Sequence, residues 1–141
     1  MSIPYEGATS GMKARDELTK ILQKFGCENV GFMDDFAESA VILAFRHRGR
    51  AVQLRASAKG WAQMYMKEHP YKQKKTEGKA LAQGLIAVNS ILRDWVKGQV
   101  TAVETGVLSF EAVFMPHILT SDGRSVLEHI QANNLLPAPS K

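Results

Sequence analysis

Residues Ser39 to Ser57 read SAVILAFRHRGRAVQLRAS, and few folded arrangements accommodate that pattern. With Arg48-Gly49 as a two-residue turn, Phe45 faces Val52, Leu43 faces Leu54 and Val41 faces Ala56. Both strands then offer one apolar face in a single register, and a slip of one residue would turn that face toward water. The opposite face collects Arg46, Gln53 and Arg55 beside Ile42 and Ala44. The segment predicts a two-sided β-hairpin.

The rest of the chain reads mostly as helix. Leu18, Ile21, Leu22 and Phe25 share helical spacing within residues 11–25, and Gly26 stands where that helix stops. Residues 28–34 predict a short edge strand, with the Asp34-Asp35 pair in a turn. Trp61, Met64 and Tyr65 predict a short amphipathic helix after Gly60, ended before Pro70. The lysine-rich stretch Tyr71 to Lys79 reads as an exposed connection. Leu81, Leu85, Val88, Leu92 and Trp95 then mark a long helix running to about Val103 and stopping at Gly106. Gly84 and Gly98 weaken it locally or permit close packing. Ser109 caps a short helix that Pro116 cuts off, Asp122-Gly123 makes a turn, and Ser125 with Glu128 forms a capping box for a last helix. The expected class is α+β: a small antiparallel sheet, an N-terminal helix, and a mostly helical C-terminal half with one long helix. At 141 residues the chain suits one domain and one core. Residues 1–10 and 135–141 read as flexible tails.

Hydrophobic residues at 45% and charged residues at 23% exclude wholesale disorder. The lone Cys27 excludes an intrachain disulfide and reads as a small buried side chain in a reducing compartment. The first residues lack a secretory pattern, and the longest aliphatic run, Ala40 to Phe45, is too short to span a bilayer. The expectation is a cytoplasmic protein without a membrane partner.

Charge is clustered. Residues 46–79 hold ten basic side chains against two acidic ones, a balance of +8, while the other 107 residues hold eight against twelve, a balance of −4. Such clustering suits an anionic partner, although a solvated basic face has the same composition. Arg46, Arg48, Arg50 and Arg55 are able to donate paired hydrogen bonds to phosphate oxygens from a rigid hairpin. Arg124 can join them from the C-terminal turn, with Asp122 orienting it or meeting a ribose hydroxyl. Trp61, Tyr65, Tyr71 and Trp95 are the aromatic candidates for stacking on a base, Trp95 from the apolar stripe of the long helix.

Other chemistry finds little footing. His47, His69, His117 and His129 share no metal-ligand spacing, and no P-loop or GxGxxG fingerprint occurs. Glu104, Glu111, His117 and Asp122 would need to converge in space to act as acid and base, whereas such groups usually lie on solvated helix faces. The reading is therefore no catalytic residue, no metal and no cofactor.

The hairpin AVILAFRHRGRAVQLRAS, the helix ending ILRDWVKGQVTAVETG and the closing SFEAVFMPHILTSDGRSVLEHI resemble small bacteriophage and prophage proteins. More narrowly, the order of elements over residues 39–130 is similar to the first family of Thoeris anti-defence proteins, which sequester cyclic ADP-ribose signals. The resemblance implies a homo-oligomeric, non-enzymatic sponge for a phosphate-bearing nucleotide, working in the cytoplasm of an infected bacterium. On it, Arg46 or Arg48 takes the early arginine position, Arg124 the late one, and Trp95 the place of a base-stacking phenylalanine. Two alternatives compete: a nucleic-acid-binding protein that tracks a backbone with the hairpin and lysine-rich connection, or an inhibitor that docks a host enzyme. An enzyme acting on a nucleotide has the least support.

Overall fold

The fold is seen in a computed structural model that describes residues 3–69 and 77–140. Helix α1 (Gly11–Phe25) leads into strands β1 (Asn29–Asp35), β2 (Ala40–His47) and β3 (Arg50–Ser57). Helices α2 (Lys59–Glu68), α3 (Glu77–Glu104), α4 (Phe110–Phe114) and α5 (Val126–Ala132) follow, with a 3-10 turn at Met115–His117. The architecture is α+β, with an antiparallel three-stranded sheet in the order β1-β2-β3.

The hairpin forms in the register its apolar face requires: Phe45 opposite Val52, Leu43 opposite Leu54, Val41 opposite Ala56. Arg48 and Gly49 both have positive φ, 51° and 80°, the geometry that matches a tight turn to the twist of its strands. β1 extends the sheet, Val30 beside Phe45 and Phe32 beside Leu43. It runs through Asp34 and Asp35, so the turn expected there falls at residues 36–39 instead. Arg55 of β3 pairs with Asp35 of β1 across the central strand, over Ile42 and Ala40. That bridge accounts for Ile42 being buried on the otherwise polar face.

The inner face of the sheet packs on two helices. Leu18 and Leu22 from α1, and Val88, Leu92, Val96 and Val100 from α3, close over Val41, Leu43, Phe45, Val52 and Leu54. Phe114 of α4 completes this core without exposure. A second apolar cluster joins Trp61, Ala62 and Tyr65 of α2 to Ala80 and Ala87 of α3, with Ile3 packed among them. With 28 residues, α3 is long enough to serve both clusters, roughly 42 Å at 1.5 Å per residue. Gly84 is the closest approach, since a Cβ there would meet the Ala58 carbonyl oxygen at 3.1 Å.

Three further boundaries differ from expectation. α2 begins at Lys59 rather than after Gly60, and α3 already includes Glu77 to Lys79; the remainder of the lysine-rich connection, Tyr71 included, lies outside the described residues. Residues 3–8, read as part of a tail, are tied down: the Trp61 Nε1 donates to the Pro4 carbonyl at 2.8 Å, and the Gln83 amide donates to the carbonyls of Glu6 and Ala8. No helix among the described residues is long and apolar enough to cross a membrane.

Candidate functional site

The hairpin turn, the end of α1, the end of α3 and the start of α4 enclose an open cleft of about 590 Å³. That volume lies within the ordinary range of small-molecule sites, roughly 300 to 1,000 Å³. Each wall has a local cause. Gly26, in the left-handed region at φ 100°, stops α1 directly after Phe25. His47 is the last member of the inward series Val41, Leu43, Phe45 on β2. The Ser109 hydroxyl accepts from the Ala112 amide and so starts α4 at Phe110.

These three rings form a stack. Phe25 lies 4.4 Å from His47 with planes 9° apart, and His47 lies 4.8 Å from Phe110 at 15°. Phe25 and Phe110 are partly exposed, whereas His47 is buried. Burial, and next the Arg48 charge, push the His47 imidazole below its usual pKa; Glu28 and a hydrogen bond to the Phe25 backbone oppose that only in part. The stack continues inward through Phe114, which meets Phe45 and Trp95 edge-on, and Trp95 in turn meets His117.

Arginines flank the rings. Arg50 is ion-paired with Glu111. The Glu111 carboxyl is held below the usual carboxylate range, first by its own backbone amide and then by that guanidinium. Arg46 points to the polar face of the sheet, and its Nη1 donates to the Gly49 carbonyl at 3.0 Å. The Gly49 amide donates to Glu28 Oε1 at 3.1 Å, which braces the turn from the start of β1. Arg48, at the tip, has no ion-pair partner among the described residues and lines the cleft beside Arg50 and Glu104.

Of the arginines read from sequence as phosphate donors, Arg48 and Arg50 line this cleft, whereas Arg46 and Arg124 do not, and neither do Trp95 and Asp122. Trp95 is half-buried and committed to the aromatic core. Arg124 and Asp122 close on themselves: the Arg124 amide and Nε donate to the Asp122 carboxylate at 3.0 and 3.2 Å. Thr120 and His129 bond to the same carboxylate. Asp122 is thereby held far below the usual carboxylate pKa, with Thr120 and the Arg124 amide as the leading causes. This turn is anchored to the free edge of β3, where the Leu119 amide donates to the Ala51 carbonyl at 2.8 Å.

The ring stack of Phe25, His47 and Phe110 and the pairing of Glu111 with Arg50 are not readable in the sequence, which offers Glu111 only as an acid/base group and His47 only as a metal ligand, because their meeting is tertiary. Only His47 carries a signal, its place at the end of the inward-facing alternation. Among the described residues, no group of three or more His, Cys, Asp or Glu side chains is placed to hold a metal. Cys27 packs at the edge of the core, where burial, and then Glu28, raise its thiol to about 11. A thiol so raised is a poor nucleophile near neutral pH.

No family model, no curated protein and no solved structure matches the chain.

Proposed function

We propose that the protein is a non-enzymatic binding protein that captures a phosphate-bearing nucleotide in the cleft at the hairpin turn. The observation that carries this reading is Arg48. It is a guanidinium without an ion-pair partner among the described residues, held at the tip of a braced turn beside the partly exposed rings of Phe25 and Phe110. A flat apolar surface next to a donor fork suits a base joined to a phosphate. Arg50 supplies a second fork if the ligand displaces Glu111, and Glu104 offers an acceptor for ribose hydroxyls. Within this class, the resemblance of residues 39–130 to Thoeris anti-defence proteins selects cyclic ADP-ribose isomers as the first ligands to test, with release unchanged rather than turnover as the activity.

The test is to incubate purified protein with each isomer, separate it from solution, denature it by heat and chromatograph what is released. Uptake and return of intact ligand is expected. A linear ADP-ribose product would make the protein an enzyme, and no uptake of any isomer would remove this ligand class. Replacing Arg48 with Ala should weaken uptake by about tenfold to a hundredfold, the range for losing a charge-assisted hydrogen bond. Arg124→Ala should leave it nearly unchanged, because that guanidinium is already occupied by Asp122. The reverse ranking would move the site to the C-terminal turn.

A further inference from the structure

The sheet has two edges, and the fold treats them differently. At the β3 edge, the Leu119 amide donates to the Ala51 carbonyl and Ile118 bridges Val52. At the β1 edge nothing comparable stands among the described residues: residues 29–35 pair with β2 alone and make no backbone–backbone hydrogen bond beyond it. Alternate residues of an edge strand turn amide and carbonyl outward, so such an edge is a template for a further strand. Open edges are usually blunted by lysine, proline, a bulge or brevity. The seven residues of β1, NVGFMDD, contain neither lysine nor proline and keep an unbroken register with β2. Its carboxylates do not guard it, since Asp34 is held by Arg15 and Asp35 by Arg55.

The strand is also complementary to itself. Glycine inside a strand costs stability and marks a bulge or the close approach of another group. The register excludes a bulge at Gly31, and a Cβ there would meet nothing within 4 Å, so no other part of the described chain uses that space. Two residues on, and on the same face, Met33 is 63% exposed. Antiparallel self-pairing about an axis through Phe32 sets Met33 of each copy directly against Gly31 of the other. All seven residues are then used. The same register sets Asn29 against Asp35. Arg46 lies beside Asn29 in β2 and has no ion pair among the described residues, so its guanidinium comes diagonal to the Asp35 carboxylate of the second copy.

We propose that two copies of this chain pair antiparallel through β1, joining two three-stranded sheets into one of six strands. The contact is isologous, so each favourable pair occurs twice. It is separate from the hairpin cleft and does not depend on the function proposed for that cleft.

The experiment is sedimentation velocity of the full chain across the micromolar range, joined to disulfide trapping. A monomer–dimer equilibrium is expected. Gly31→Cys and Met33→Cys proteins, mixed under mild oxidation, should form a mixed disulfide dimer faster than either forms its own. Directly opposed residues stand about 4.5 to 5.5 Å apart in such a pair, and diagonal ones about 7 to 8 Å. The parent chain, with its partly exposed Cys27, sets the background rate. Asn29→Asp puts like charges opposite each other at both ends of the contact and should weaken dimerisation by about tenfold. Within one copy that aspartate lies beside Arg46, and far-UV circular dichroism checks that the variant folds. A chain that stays monomeric throughout the range overturns the proposal. So does a dimer in which the mixed disulfide has no advantage, which would place the contact on another face.

Discussion

Three arginines surround the hairpin turn, and the structure distinguishes them by what each already holds. Arg46 is bonded to the Gly49 carbonyl and Arg50 to Glu111, while Arg48 stands without an ion pair among the described residues. Sequence shows that guanidinium groups cluster there, but their partners are set by the fold. His47 illustrates the same point, for its alternation predicts only that it faces inward, whereas Phe25 and Phe110 make it the middle of a stack. That setting has a consequence for pH. His47 and His117 are both desolvated and take up protons less readily than imidazoles in the unfolded chain. As pH falls through about 6.5, the unfolded chain binds those protons first, so stability declines from pH 7.5 toward 5.5. Paired carboxylates contribute little in this window, since their unfolded values lie near 4. His47→Phe keeps an aromatic ring in the stack and removes one of the two groups, so its urea midpoint should fall less over that interval than that of the parent chain. An unchanged pH dependence in the variant would show that His47 is not held neutral by folding.

Elements with a local cause are legible in the chain, and elements with a tertiary cause are not. Gly26 and Gly106 end α1 and α3 with φ of 100° and 76°, and the Ser125–Glu128 capping box opens α5 where its spacing predicts. The hairpin is readable because its turn and its apolar alternation specify the same register. β1 extends through two aspartates because Asp34 is paired with Arg15, and Asp35 with Arg55, so charges that suit a turn are neutralised within a strand. The two helical glycines read alike in sequence and differ in space. A Cβ on Gly98 would meet nothing within 4 Å, whereas Gly84 lies against Ala58 and Trp61. Gly98→Ala should therefore stabilise the protein by about 0.5 to 1 kcal/mol, through the lower entropy of the unfolded chain. Gly84→Val should destabilise it by about 1 to 3 kcal/mol, because the Ala58 carbonyl and the Trp61 ring would have to move. Urea unfolding of both variants checks the pair, and a Gly84→Val protein as stable as the parent would mean that α2 and α3 do not pack this closely.

For the whole molecule, charge counted along the chain differs from charge in space. Residues 46–79 carry a balance of +8 in sequence. Folding brings Glu111 to Arg50, Asp35 to Arg55 and Glu38 to Lys59, all from outside that segment. The hairpin is therefore less basic than its sequence: Arg50 and Arg55 are ion-paired, and only Arg46 and Arg48 of its four arginines lack an ion pair among the described residues. A protein that tracks a nucleic-acid backbone needs many unpaired cations, since each neutralised phosphate adds roughly 0.7 to 0.9 to the logarithmic salt slope. A cleft using Arg48 against one small ligand needs few. Anisotropy of a labelled single-stranded DNA oligomer between about 50 and 200 mM salt, beside uptake of the small nucleotide over the same range, separates the two. In the small-ligand reading, nucleotide uptake should change little with salt, and replacing Lys72, Lys74 and Lys75 with Gln should leave it intact. If instead DNA binds at physiological salt with a logarithmic slope of about −4 or steeper, and the triple replacement flattens that slope while no nucleotide is taken up, the hairpin serves a phosphate backbone and the cleft reading fails.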